Sequence, residues 1–306
     1  MTPGNAGLPP ARTPRPDGGR APLSTLHILV LTALAMTAFA GNSLLCRLAL
    51  KDTAIDAASF TTVRLLSGAL MLWLVVRLRG GGARAGAGNW LSALALFAYA
   101  AGFSFAYITL PAATGALLLF GAVQATMIGH GLWRGERLRR AQSVGLVLAL
   151  CGLVGLLLPG LSAPPLFGAA MMLGAGVAWG IYSLRGRVPG DATRVTAGNF
   201  TRAVPIAAAL SVLMAGNLSL DRAGLAYAVA SGALASGLGY AIWYTALPAL
   251  KATKAATVQL SVPVLATLGG VAFLGEAVSL RLVAASVAIL GGIALVILEK
   301  RDAGGR

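Results

Sequence analysis

The sequence predicts an all-α membrane protein in which ten transmembrane helices form two inverted five-helix repeats around a central cavity. Three observations support this: an apolar composition, ten apolar stretches of membrane-spanning length, and a motif that occurs twice in the same order. Hydrophobic residues make up 57% of the chain and charged residues 11%, whereas a soluble domain has about 25% charged residues. A soluble fold could not bury so much apolar surface, because its outside must face water.

The repeated motif combines an aromatic residue, a Leu-Pro turn and a Gly-Glu pair. In the second half, Tyr244 and the Leu-Pro pair at 247–248 precede the Gly-Glu pair at 275–276. In the first half, Tyr107 and its Leu-Pro pair lead to Gly135 and Glu136, 137 to 140 positions earlier. The same order and similar separation indicate a duplication. Since each copy has five helices, an odd number, the second copy is expected to cross the membrane upside down.

Taken in order, the chain divides into two tails and two repeats. Residues 1–25 are rich in Pro and Gly without apolar periodicity, and predict a disordered cytoplasmic tail. The first repeat is expected at 26–160 and the second at 161–300, followed by a cytoplasmic C-terminal tail at 301–306.

Each spanning segment needs roughly 20 apolar residues to cross the hydrocarbon layer. Turn or charge signals separate the stretches, among them Pro111, Pro248 and the glycines at 80–82. The predicted spans are 27–47, 57–77, 89–109, 113–133, 141–158, 164–185, 195–215, 223–246, 252–274 and 279–298.

The basic residues predict the orientation. With the N-terminus inside, 18 of the 24 Lys and Arg residues fall on the cytoplasmic side and four outside, while Arg64 and Arg202 lie within helices. This bias follows the positive-inside rule. The net charge of +15 therefore reflects topology, with attraction to anionic membrane lipid secondary. No nucleic-acid partner is expected, and we expect a multi-pass protein of a bacterial inner membrane with both termini cytoplasmic.

Residues in the first two helices of each half, and at the end of the second half, carry a resemblance to a known family. They are Gly41-Asn42-Ser43, Trp179-Gly180, Arg64, Arg202, Pro263 and Leu274-Gly275-Glu276. On these residues the chain resembles the EamA type of the drug/metabolite transporter superfamily over about residues 26–300. The first half departs from the family pattern, because Val123-Gln124 stands where a proline would be expected.

The resemblance implies an inner-membrane secondary transporter that works by alternating access. The aromatic third helix and Gln124 are most similar to bacterial exporters of amino acids, including aromatic ones, so export of neutral or aromatic amino acids is the expected function. Export of another small metabolite, a nucleoside or a drug is the alternative. An intramembrane enzyme has less support because no Gly-x-Ser-x-Gly, His-Glu-x-x-His or paired intramembrane aspartates occur. A membrane scaffold would need an output domain, and none is recognised.

Aromatic side chains in mid-helix are the first candidates for the solute path. Tyr99 and Phe103 share one face of helix 3 and Tyr240 lies deep in helix 8, with Trp179 and Tyr182 as flanking walls on helix 6. The alternative is that these rings form a packing seam. Tyr107, the third residue of the helix 3 stripe, is predicted to lie in an interfacial aromatic belt.

Three amides are the polar candidates for substrate binding: Asn42, Gln124 and Gln259. A buried amide must find hydrogen bonds, so interhelical bonding is the equal alternative. Pro263, four residues after Gln259, predicts a hinge because it removes a backbone donor.

The two intrahelical arginines are interpreted as snorkelling to an interface, with binding of a substrate carboxylate as the alternative. None of the nine acids lies in mid-membrane. Cys46 and Cys151 lack metal spacing, so neither a metal nor a cofactor is expected. Helices 5 and 10 are aliphatic, which predicts a structural role away from the solute path. This is consistent with a monomer or a homodimer.

Overall fold

The computed structural model describes residues 24–80, 88–135, 137–160, 163–186, 191–250, 255 and 258–299. Within these ranges the chain is helical, with no strand. The predicted disordered tail at 1–25, except for its last two residues, and the predicted cytoplasmic tail at 301–306 lie outside the described residues. The helices are α1 (Thr25–Asp52), α2 (Ala57–Leu78), α3 (Trp90–Tyr107), α4 (Ala112–Trp133), α5 (Arg140–Leu157), α6 (Leu166–Arg185), α7 (Ala192–Leu213), α8 (Arg222–Ala249), α9 (Ser261–Leu274) and α10 (Leu280–Glu299).

Polar side chains at the helix starts explain several boundaries. Ser24, Asp56, Asn89, Asp191 and Asp221 each accept a hydrogen bond from a backbone amide in the first turn of the helix that follows. These are the residue types that cap helix N-termini, because a short side-chain oxygen reaches the unpaired amides. The polar breaks of an otherwise apolar sequence are therefore where the helices begin.

In the part of the chain that the structure describes, eight helices are long and apolar enough to cross a membrane. Of the other two, α7 carries many polar residues and α9 has only 14 residues. Within the predicted span 252–274, Ala255, Val258 and Gln259 are also helical, and a turn at Leu260 separates them from α9, which begins at Ser261. The other residues between 252 and 257 lie outside the described residues. Pro263 lies in the first turn of α9, where its missing N–H breaks no helical hydrogen bond.

Helix α8 contains a wide turn that the sequence did not predict. Its middle, Ala230–Leu238, is a π-helix, a rare geometry that shifts the facing of later side chains. Gly232 and Gly237 in this segment lie against the backbone of α2, so closely that a Cβ on Gly232 would collide with the carbonyl oxygen of Arg64. The glycines therefore bring α8 into direct contact with α2.

The helix contacts repeat when each helix is exchanged for the one five positions later. Under this exchange the contacting pairs α2–α7, α4–α9 and α5–α10 stay the same. The pairs α3–α6, α4–α6 and α3–α7 become α8–α1, α9–α1 and α8–α2, which are also in contact. The self-paired helices run antiparallel: Thr62 near the start of α2 bonds Ser211 near the end of α7, and Gln142 of α5 bonds Val296 of α10. The two five-helix halves are therefore inverted relative to each other.

Candidate functional site

A cluster of aromatic rings lies between the two halves. We call it the central aromatic cluster; its members are Phe39, Tyr99, Phe103, Trp179, Tyr182, Phe200 and Tyr240. The ring centroids of Tyr99 and Trp179 are 4.7 Å apart, and those of Trp179 and Tyr240 are 5.3 Å apart. Tyr99 belongs to the first half and the other two to the second, so the rings connect the halves by direct contact.

The stacking geometry places Trp179 at the centre of this cluster. Its ring is nearly parallel to those of Tyr240 and Tyr182, at interplanar angles of 20° and 28°. Tyr99, Tyr182 and Tyr240 are buried, whereas Trp179 is partly exposed. Flat, parallel rings form the kind of surface on which a planar or apolar group can lie.

A polar group adjoins the rings at Tyr99. Ser231 donates to Asn42 Oδ1 at 2.7 Å, and Asn42 Nδ2 donates to the Tyr99 hydroxyl at 3.4 Å. Arg64 Nη2 donates to the same hydroxyl at 3.1 Å. Ser231 lies in the π-helical segment of α8, so this chain of hydrogen bonds also spans both halves.

Arg64 corrects one sequence-based interpretation. Its side chain does not snorkel, because it is 2% exposed and its guanidinium lies 4.7 Å from the Phe103 ring centroid and 5.3 Å from that of Tyr99. The side chain stays buried because these two rings and the Tyr99 hydroxyl face it. Its counterpart Arg202 is partly exposed and donates to the Gly198 carbonyl one turn earlier in α7.

Tyr107 is a second correction. The side chain is fully buried rather than at an interface, its ring meets Phe103 edge-on at 4.7 Å, and its hydroxyl donates to the Ala112 carbonyl. It fits there because Gly115 of α4 has no side chain, and a Cβ at that position would collide with the Tyr107 ring. The belt prediction failed because sequence spacing does not reveal this opening in the neighbouring helix.

The other two amides are not brought to the central aromatic cluster by any contact among the described residues. Gln124 is buried and lines a cavity of about 20 Å³ with Leu150 of α5 and Ile293 of α10. The preceding residues Ala122 and Val123 pack on Gly176 of α6. The helical rotation of about 100° per residue turns Gln124 away from α6. Gln259 is partly buried just before α9.

Three residues of this site, Phe39, Phe200 and Ser231, were not among the sequence-based candidates. Arg64 was interpreted as interfacial, with binding of a substrate carboxylate as the alternative. A signal for Arg64 was available, because an arginine within a helix with no intramembrane acid lacks a partner. A larger cavity, about 160 Å³, lies outside the cluster and is lined by Thr114, Thr267 and Glu276 among others.

Comparison with known proteins agrees with this architecture. Residues 166–298 match the EamA-like transporter family. The chain is 61% identical over 272 residues to Uncharacterized protein PA1977 of Pseudomonas aeruginosa, covering 89% of this chain and 95% of that protein. A solved structure described as "Crystal structure of protein" is similar to this chain, with a TM-score of 0.65 and 22% sequence identity. The match covers 91% of this chain and 100% of the chain in that structure. This last likeness concerns the fold alone.

Proposed function

Because the chain belongs to the EamA-like transporter family of membrane transporters for small solutes, we propose that it exports amino acids with neutral or aromatic side chains. The proposed route crosses a bacterial inner membrane from the cytoplasm, and the mechanism is alternating access between the two inverted halves. The expectation of a small-molecule substrate follows from the family. The amino-acid class is our proposal.

The observation that carries the proposal is the central aromatic cluster. Tyr99 and Phe103 come from α3 of the first half, while Trp179 and Tyr240 come from α6 and α8 of the second. A solute lying among these rings would contact both halves at once. Movement of one half against the other would then expose it to one side of the membrane at a time.

The chemistry of the cluster favours a particular kind of solute. Stacked rings gain energy from contact with apolar or aromatic groups. The neighbouring hydroxyl of Tyr99, the amide of Asn42 and the hydroxyl of Ser231 form a polar end on the same site. A small molecule with one apolar and one polar end, such as a neutral amino acid, fits this division.

Polar contacts between the halves at both ends of the bundle support alternating access. At one end, Arg47 and Glu276 form an ion pair between α1 and the segment after α9. At the other, Arg79 at the end of α2 donates to Thr245 of α8 at 3.1 Å. In the proposed cycle one set of contacts opens while the other stays closed. With a cytoplasmic N-terminus, the Arg47–Glu276 end faces outward, and Pro263 would act as a hinge at the start of α9.

Transport in liposomes tests the proposal directly. Purified protein is reconstituted and its flux measured with radiolabelled neutral and aromatic amino acids, with uridine and a cationic dye as members of the alternative classes. We expect saturable flux of aromatic amino acids. Flux of the nucleoside or dye alone would reject the amino-acid class, and no flux of any member would count against a transporter of these solutes.

Paired tryptophan variants test the site. Trp179→Ala removes the central ring of the cluster and should reduce flux on the order of tenfold. The control Trp73→Ala removes a ring that is 52% exposed on α2 and should leave flux near wild type, with both proteins eluting as monodisperse species. If both variants retain flux, the solute does not pass the cluster.

A further inference from the structure

Arg64 has a donor without a partner in the core of the protein. Its Nη2 group bonds the Tyr99 hydroxyl, but Nη1 is buried and has no hydrogen-bond partner among the described residues. Charged donors left unpaired in an apolar interior are costly and rare, so a buried unpaired donor calls for a partner that the neighbouring side chains do not supply. The unpaired donor therefore marks a position for an acceptor.

The charge of Arg64 is also not balanced by an acidic side chain among the described residues. Within the part of the chain that the structure describes, the ion pairs within 4.0 Å are Arg47–Glu276 and Lys51–Asp52, and neither involves Arg64. Asp56, at the start of the same helix, accepts from the backbone amides of Ser59 and Ser219 instead. The rings of Tyr99 and Phe103 supply partial compensation through cation–π contact. A full negative charge must come from outside these residues.

A second donor lies beside Arg64. The Tyr99 oxygen accepts from both Arg64 Nη2 and Asn42 Nδ2, groups that can only donate. The hydroxyl hydrogen of Tyr99 is therefore left to donate to another acceptor. A guanidinium N–H and an O–H next to each other match the two oxygens of a carboxylate, an anion to which arginine donates strong charge-assisted hydrogen bonds.

From these contacts we infer that Arg64 and Tyr99 bind the carboxylate of the transported solute, while its apolar body lies on the central aromatic cluster. The inference rests on the proposed function and narrows it: the substrate class is that of small monocarboxylates with an apolar or aromatic body, including amino acids. The carboxylate, rather than the amino group, is the end that the site selects.

This subsite belongs to the first half only. Arg202, the intrahelical arginine of the second half, donates to a carbonyl of its own helix and is partly exposed. Among the described residues, Arg202 therefore does not repeat the Arg64–Tyr99 arrangement, so this subsite would orient a solute with one charged end.

A matched ligand series tests the inference on the wild-type protein. Binding to purified protein is measured by tryptophan fluorescence or calorimetry for phenylalanine, 3-phenylpropionate, 3-phenylpropionamide and phenethylamine. The two carboxylates should bind about tenfold or more tightly than the amide, because a hydrogen bond to a charged group is worth that much. Phenethylamine, which lacks the carboxylate, should bind no better than the amide.

Two variants test which arginine is responsible for the preference for a carboxylate. Arg64→Gln should abolish the preference for 3-phenylpropionate over 3-phenylpropionamide, while the matched control Arg202→Gln should keep it. Equal binding of carboxylate and amide by the wild type, or equal loss of the preference in both variants, would overturn the inference even if transport is confirmed. If Arg64→Gln does not fold, the wild-type series still decides. Absence of binding by every member, together with absent flux, would overturn both this inference and the proposed amino-acid class.

Discussion

The Nε atom of Arg47 lies 3.6 Å from Oε1 of Glu276, and this pair joins α1 of the first half to the segment that follows α9 of the second. Both side chains are largely buried, at 12% and 10% exposure. Both carboxylate oxygens of Glu276 are also within 2.9 Å of the Ala112 amide at the start of α4, and a negative charge is favourable at a helix N-terminus. Arg47 in turn donates to the Tyr107 and Ile108 carbonyls. One pair of side chains thus ties together four helices.

We predict that Glu276→Gln loosens this end of the bundle. Glutamine can still accept from Ala112 but loses the charge that pairs with Arg47, and breaking a largely buried ion pair is costly. Cys46, which is fully buried next to Arg47, is a native reporter once the exposed Cys151 is replaced by Ala. Its labelling by a membrane-impermeant maleimide should accelerate roughly tenfold or more.

The control for this experiment is Lys51→Gln. Lys51 pairs with Asp52 at 4.0 Å, but both side chains are more than 40% exposed, and such surface pairs contribute little. Labelling of Cys46 should stay near the wild-type rate. Acceleration by both variants, or by neither, would show that the Arg47–Glu276 pair does not hold this face closed.

A second prediction concerns two adjacent glycines of α10. A Cβ on Gly292 would collide with the Gly145 carbonyl oxygen of α5, whereas a Cβ on Gly291 has no atom within 4 Å. We therefore expect Gly292→Leu to destabilise the protein by about 1–3 kcal/mol through overpacking. Gly291→Leu should change stability by less than about 0.5 kcal/mol. Thermal unfolding in detergent measures both. A large loss at Gly291 would instead indicate that another surface, such as a second copy of the chain, covers that face.

The two buried amides should behave differently on replacement. Asn42 is hydrogen-bonded to Tyr99 and Ser231 at the central aromatic cluster, and Asn42→Leu should lower flux in liposomes on the order of tenfold. Gln124 lines the small cavity between α4, α5 and α10, so Gln124→Leu should preserve flux. The sequence-based hypothesis makes the opposite forecast for Gln124, and the flux of this single variant distinguishes the two.

The shifted pKa of Asp56, a residue that precedes α2 and lies outside the spanning segments, predicts that the stability of the protein depends on pH. Partial burial raises the pKa of Asp56, but hydrogen bonds from the Ser59, Ser219 and Ala58 amides more than offset this, so the pKa lies below its ordinary value of 3.8. The charged form is thus favoured in the folded state. Its contribution is fully present above the ordinary carboxyl pKa and is lost as the pH falls through the lowered folded value.

The variant Asp56→Asn keeps a capping oxygen and removes the charge. It should be less stable than wild type by about 0.3–1 kcal/mol at pH 7, and the difference should disappear at the acid end of the range. Unfolding of both proteins at pH 7 and at the acid end of the range measures this difference in stability. The exposed Asp52→Asn is the control. A difference between Asp56→Asn and wild type that persists unchanged in acid would show that the carboxylate charge is not its source.

The proposed orientation has its own test. Reporter fusions after Gly135, between α4 and α5, should indicate the cytoplasm, and fusions after Asn217, between α7 and α8, should indicate the outside. These two positions belong to different halves. The same result at both would contradict the arrangement in which successive helices cross the membrane.

The sequence by itself determined the class and order of the helices. Apolar stretches near 20 residues long identify spanning segments because a single segment in lipid can satisfy its backbone hydrogen bonds within itself only as a helix. The polar residues between them, such as Asp56 and Asp191, mark the helix starts because they cap the free amides. The repeated Tyr-x-x-Leu-Pro and Gly-Glu residues revealed the duplication. These properties depend on local composition and spacing, which the sequence states directly.

The tertiary structure decided which side chains meet. Tyr99, Trp179 and Tyr240 were predicted as site residues from single helices, but their stacking depends on how three helices are rotated against one another. The burial of Arg64 depends on rings from α3, and the position of Ser231 depends on a π-helical segment in α8. A residue faces a partner only after the helices have packed, since a rotation of about 100° separates one position from the next. That rotation, rather than residue type, separated Asn42 at the cluster from Gln124 outside it.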